Sequence, residues 1–148
     1  MGDKVPISTL VLVHTRALEV LLIERADFPG YWQSVTGSQE PGESLAQTAL
    51  RELKEETGID ANVYGGLIDW RLSKQYEIYP RWRDRYPPGT THNTEHVFAL
   101  EVPAPVPVTL APREHLSFLW LPWQEAAKKV FSWSNREAIE LLPQRSTG

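Results

Sequence analysis

Residues 44–58, SLAQTALRELKEETG, constrain the fold of this chain more than any other stretch. Ser44 with Gln47 three places on makes a capping-box pattern, and Gly58 stands where a helix ends in left-handed backbone. The segment therefore predicts a helix from about Ser44 to Thr57. At about 100° per residue, Ala46, Ala49, Leu50, Leu53 and Thr57 share one direction and form a core stripe. Glu52, Glu55 and Glu56 crowd beside it at i, i+3 and i+4 spacing, where like charges repel. One reading is a solvated face on which Arg51 and Lys54 offset part of the charge. The other is a site for a hard divalent cation, since magnesium takes oxygen ligands from a few carboxylates together with substrate phosphates. Such a cation turns the repulsion into attraction.

The rest of the chain is consistent with one compact domain over residues 1–148. At 41% hydrophobic and 23% charged it can bury a core, and with no cysteine it has neither a disulfide framework nor a thiolate site. No stretch approaches the ~20 apolar residues that span a bilayer, so no membrane is expected and a cytoplasmic location is. A formal charge of −4 argues against general nucleic-acid binding. Strand-like runs are expected at 6–14, 18–25, 31–37, 61–70, 75–79, 94–103 and 117–121. The stretch 103–112, with four prolines, reads as an exposed, semi-extended loop. Two short helices should follow, over PWQEAAKKV and SNREAIELL, the second capped by Ser134 and Glu137. Strands on both sides of a central helix, with helices at the end, give an α+β sandwich rather than a doubly wound sheet. The number of copies in an assembly cannot be read from this pattern.

The three glutamates belong to a longer fixed spacing. Gly37 is followed after five residues by Glu43 and after seven more by Arg51, Glu52 and Leu53. Glu55 and Glu56 come one residue later, and Gly58 and Ile59 one residue after those. This spacing resembles the Nudix box, G-x5-E-x7-R-E-U-x-E-E-x-G-U with U a bulky aliphatic, at every defined position. The resemblance implies an α/β/α sandwich with a mixed sheet and a loop–helix–loop catalytic segment. It implies that Glu52 and Glu56 are the principal ligands of Mg2+ (Mn2+ being an alternative), with Glu55 a further ligand or a water-orienting group. Arg51 and Glu43 would hold loop and helix in register, and Gly37 would allow a tight turn. The family hydrolyses a diphosphate joined to another group, and Glu114, in the loop before strand 117–121, is the candidate general base and a further ligand. A Nudix fold that only senses a nucleotide usually has an eroded box; here every box glutamate is present.

The other group of the substrate must be read from elsewhere. Residues 70–89 carry Arg71, Lys74, Arg81, Arg83 and Arg85 with Trp70, Tyr76, Tyr79, Trp82 and Tyr86. Cations suit a polyphosphate and flat rings suit a fused heterocycle, although an ordinary solvated strand pair would also account for them. YWQSVTGS, RYPPGTTHNTEHVFAL and SWSNREAIE are together similar to bacterial Nudix enzymes of folate biosynthesis. Those enzymes release pyrophosphate from dihydroneopterin triphosphate and also act on deoxynucleotides such as dATP. By position, that likeness places Lys4, Arg25, Thr36, Tyr76, Glu77, Ile78, Tyr79 and Ser132 near a small-molecule triphosphate. A pyrophosphohydrolase of dATP or related nucleotides is the alternative. The longer, proline-rich stretch between Glu101 and Glu114 departs from the family's pattern, and if it shifts Glu114, Glu55 takes the base role.

Overall fold

The computed structural model describes residues 2–145. Its centre is β1 (Ile7–Thr15), buried from Ser8 onward and therefore an almost continuous apolar run. β6 (His92–Val102) runs parallel along the whole of β1. The opposite edge of β1 is divided. β4 (Val35–Ser38) pairs with Ser8 to Val11, while β2 (Glu19–Arg25) meets β1 only where His14 faces Val20. β2 then leaves β1 and pairs with β3 (Trp32–Gln33) and with β7 (His115–Pro122). β5 (Ile68–Glu77) lies antiparallel to β6 and completes a seven-stranded mixed sheet.

Side-chain alternation along β1 gives the sheet two apolar faces. Val11 and Val13 join Ala49 and Leu53 of α1 (Leu45–Thr57) in one core. Leu10 and Leu12 join residues of α2 (Trp123–Lys129) and α3 (Trp133–Arg145) in the other. The result is the expected sandwich, with helices on both faces of a mixed sheet. Among the described residues, no helix is long and apolar enough to cross a membrane.

The capping box forms as the sequence predicts: Gln47 N–H donates to Ser44 Oγ at 3.1 Å and Ser44 N–H to Gln47 Oε1 at 2.8 Å. Gly58 closes the helix at φ 75°. The helix is rolled, however, relative to the expected stripe. Ala46 is exposed and Leu50 half-buried, while Thr48 and Glu56 are buried. That roll draws the Glu52–Glu56 edge inward.

Three other expectations change. Residues 61–70 are not one strand: Asp60 caps a 3-10 turn over Ala61–Tyr64, Gly65 ends it, and β5 starts only at Ile68. The proline-rich stretch is not simply exposed, because Val106, Val108 and Leu110 pack on the α1 core and Thr109 N–H donates to Thr57 O at 2.8 Å. Ser134 does not cap α3; Ser132 does, accepting from Asn135 N–H at 3.3 Å, and Ser134 is buried as the second residue of the helix.

Candidate active site

Arg51 ties the loop after β4 to α1. Its Nε donates to Glu43 Oε2 at 2.6 Å, and its Nη2 to Glu43 Oε1 at 3.0 Å and Ser38 O at 3.1 Å. The same guanidinium reaches Glu52 Oε1 at 2.6 Å and Glu55 Oε2 at 3.3 Å through Nη1. Glu43 also accepts from Glu40 N–H and Thr48 Oγ1, both at 2.9 Å. The Arg51 hydrogen bond holds the Glu43 carboxyl down at about 2, and Arg51 itself is pushed up by the same contact. Gly37 is glycine for a reason other than a tight turn, since its φ is not positive. A Cβ there would lie 2.1 Å from Glu52 Cδ, so the missing side chain is the space the Glu52 carboxylate occupies.

Glu56 is 4% exposed, and its Oε1 has no hydrogen-bond partner. Burial pushes its carboxyl well up, Glu52 adds to this by a shared hydrogen bond and by charge, and Glu114 adds by charge; the Thr36 N–H pulls the other way. His115 Nε2 stands 3.8 Å from Glu56 Oε1, but this is not an ion pair at neutral pH. Burial first, then Arg25, push the imidazole down to about 4, so it is neutral. Glu55 is likewise raised, by burial and then by Glu52. Among the described residues no three such groups converge as a formed metal cage, and Glu52 is engaged by Arg51. The chemistry nonetheless suits a hard cation: oxygen donors only, mutual repulsion, and one buried oxygen without a partner.

These carboxylates border a cavity of ≈ 960 Å3 that also receives Lys4, Arg25, Thr36, Gly37, Tyr76, Glu77, Ile78, Tyr79, Glu114 and Ser132. Glu43, Arg51 and Gly58 stand outside it. Glu43 and Arg51 instead tie the loop to α1 through their paired hydrogen bonds. Lys4 is anchored through its backbone, its N–H donating to Arg85 O at 3.0 Å. Its amine is lowered by burial, then by Arg85 and Arg25. Lys4, Arg25 and Arg85 thus form a self-repelling cationic wall, with Asp27 bridging the two arginines at 2.7 and 2.9 Å. The 70–89 stretch is no strand pair throughout. Its second half is a 3-10 turn, Pro80–Arg85, where Tyr79 and Trp82 stack at 5.3 Å and Arg25 lies 4.4 Å from the Trp82 ring centre.

Sequence reasoning did not assign His115, Gln33, Asn93, Glu95, Ser134 or Asn135 to a site, and all of them border the cavity. A signal existed for two of them. In HNTEHVFALEV, Asn93 and Glu95 share strand parity with Val97 and Ala99, so polar groups occupy inward positions.

The NUDIX domain pattern matches residues 4–142. The chain is 44% identical to the dihydroneopterin triphosphate diphosphatase of Escherichia coli (strain K12) over 145 residues, 95% of each protein. It is 39% identical to the Haemophilus influenzae enzyme of the same name over 135 residues, 90% of this chain and 84% of that one. The solved structure of the E. coli dihydroneopterin triphosphate pyrophosphohydrolase superposes with a TM-score of 0.89 at 43% identity, covering 95% of this chain and 96% of the other. The Arg51 clasp on the loop, the crowded glutamates and this near-complete match lead to one conclusion: the chain belongs to the Nudix hydrolase family.

Proposed function

We propose that this enzyme hydrolyses dihydroneopterin triphosphate to dihydroneopterin monophosphate and pyrophosphate, with Mg2+ as the metal. The observation that carries the reading is a single cavity bordered on one side by Glu52, Glu55, Glu56 and Glu114 and on another by Lys4, Arg25 and Arg85. A triphosphate needs both a cation held by carboxylates and fixed positive charge, and the near full-length relatives carry this substrate in their names.

Glu52 and Glu56 would hold the ion, aided by Glu55 and Glu114. When bound, magnesium supplies neutralisation of phosphate charge and lowers the pKa of the attacking water. Arg51 and Glu43 fix the loop against α1, so the carboxylates keep their places as charge moves. Lys4 and Arg25 face the phosphates and take up charge that develops on the departing pyrophosphate. Glu114 borders the cavity from its exposed rim and accepts the proton of the water, with Glu55 as the other carboxylate in reach of the cavity. Thr36, Tyr76, Glu77, Ile78, Tyr79 and Ser132 contact the rest of the substrate.

Product analysis tests the reaction. Incubation of dihydroneopterin triphosphate with enzyme and Mg2+ should give dihydroneopterin monophosphate and pyrophosphate in equal amounts, and neither product without the ion. Stepwise release of orthophosphate would overturn the proposal.

A further inference from the structure

Chemistry at phosphorus leaves one part of the cavity unused. There Ser8 of β1, Tyr76 of β5, Asn93 and Glu95 of β6 and Ser134 of α3 come together. Strand register sets Ser8, Glu95 and Lys74 in one row, and Tyr76 beside Asn93 in the next. Three polar atoms in this region are buried without a hydrogen-bond partner: Glu95 Oε1, Asn93 Oδ1 and Ser134 Oγ. Glu95 is 4% exposed and Asn93 1%. Lys74 does not neutralise Glu95 directly, because it is drawn to Glu137 of α3. Asn93 Nδ2 donates to Ser8 Oγ at 2.7 Å and to Tyr76 Oη at 3.0 Å, which leaves its carbonyl oxygen as the free end. Ser134 is close enough to draw the Glu95 pKa down but makes no sound hydrogen bond, and burial raises the carboxyl to about 7.

Keeping a carboxyl and a carboxamide oxygen buried and unpaired costs stability. A ligand carrying N–H donors removes that cost, and both free atoms are acceptors. We infer that Glu95, supported by Asn93, is the specificity site for the substrate's ring and reads the 2-amino-4-oxopyrimidine edge of a fused heterocycle. That edge presents a ring N–H beside an exocyclic amino group, two parallel donors that one carboxylate accepts together. Adenine offers an acceptor beside its amino group and leaves one carboxylate oxygen against a lone pair. The inference rests on the proposed turnover of a heterocycle triphosphate in this cavity.

The test compares kcat/KM for dihydroneopterin triphosphate, GTP and dATP in Mg2+, for wild type and Glu95→Gln. Glutamine places a donor where the second ring donor must sit, and its donor–acceptor pair matches adenine. The preference for dihydroneopterin triphosphate over dATP should fall ~100-fold, GTP falling with the pterin and KM carrying the change. Equal losses on all three substrates, or an unchanged ratio, would overturn the assignment. Binding of dihydroneopterin, which has no phosphate, separates this inference from the proposed reaction. Wild type should bind it, and Glu95→Gln at least ~10-fold more weakly. If the wild type binds the pterin through Glu95 but does not hydrolyse its triphosphate, the reaction falls and the ring site stands. If binding is the same in both proteins, the ring site falls alone. A group that merely held the fold together would leave the variant with a Tm several degrees lower, and that result would also refute the assignment; the ring site predicts a Tm at pH 8 equal to or above that of wild type.

Discussion

Substituting alanine at Gly37 tests whether loop and helix are fitted around the Glu52 carboxylate. The added Cβ would stand 2.1 Å from Glu52 Cδ and 2.4 Å from its Oε2. Restoring the ~3.5 Å of ordinary carbon–carbon contact requires the carboxylate to retreat by roughly 1.5 Å. Backbone strain is not the issue, because Gly37 does not sit at positive φ. The side chain that must yield is the flexible end of a glutamate, so the fold should survive with a stability change within about 1 kcal/mol. The site should not survive unaltered, since Glu52 would leave both its 2.6 Å contact with Arg51 and the place proposed for it beside the metal. A misplacement of about 1 Å near reacting atoms costs ~100-fold in rate. Steady-state kinetics at several Mg2+ concentrations, beside a thermal melt, measure both quantities. Wild-type kcat/KM with an unchanged requirement for Mg2+ would refute the reasoning.

Other perturbations follow from the same geometry. Glu56→Gln should lower kcat at least ~100-fold without loss of Tm, because the carboxyl it replaces is buried, raised in pKa and has one oxygen without a hydrogen-bond partner; wild-type turnover would remove Glu56 from the ligand set. Ser44→Ala breaks the capping box and should cost about 1 kcal/mol in urea unfolding while leaving kcat unchanged. Glu95 sets a pH dependence of stability. With a folded pKa of about 7 against 4.5 when unfolded, it binds more protons folded than unfolded between those values. Stability should therefore fall as pH rises from 4.5 to about 7, by on the order of 3 kcal/mol from this group, then stay level. Glu95→Gln should flatten that decline, and an identical pH profile in the variant would show that the buried carboxyl does not titrate in this range.

The parts of the site readable from sequence were those specified by nearby residues. Both ends of α1 follow from Ser44, Gln47 and Gly58, which lie within or beside the helix they limit. The box spacing is equally local, and Arg51 reaches Glu43 only eight residues away. The roll of α1 was not legible, because packing against β1 and β4 decides which of several small residues turn inward, and Ala46 has little apolar surface to insist on burial. The role of Gly37 was half legible: the position needs glycine, but for the space beside Glu52, a contact between two elements. The ring site was hidden for a topological reason. Asn93 meets Ser8 across 85 residues and Asn135 meets Ser34 across 101, and only the parallel β1–β6 pairing and the return of α3 bring them together. Ser134 shows how local reasoning misleads, since its capping pattern is real in sequence yet Ser132 takes the cap and Ser134 turns to the cavity.

The most direct test of the account is the substrate preference of the wild-type enzyme: kcat/KM for dihydroneopterin triphosphate against dATP and the other nucleoside triphosphates, with Mg2+, following pyrophosphate release. A cavity that joins a cation wall to unpaired buried acceptors predicts a preference for the pterin of ~100-fold or more over dATP. Comparable values across the panel would leave the Nudix chemistry in place and contradict the assignment of this cavity to a pterin.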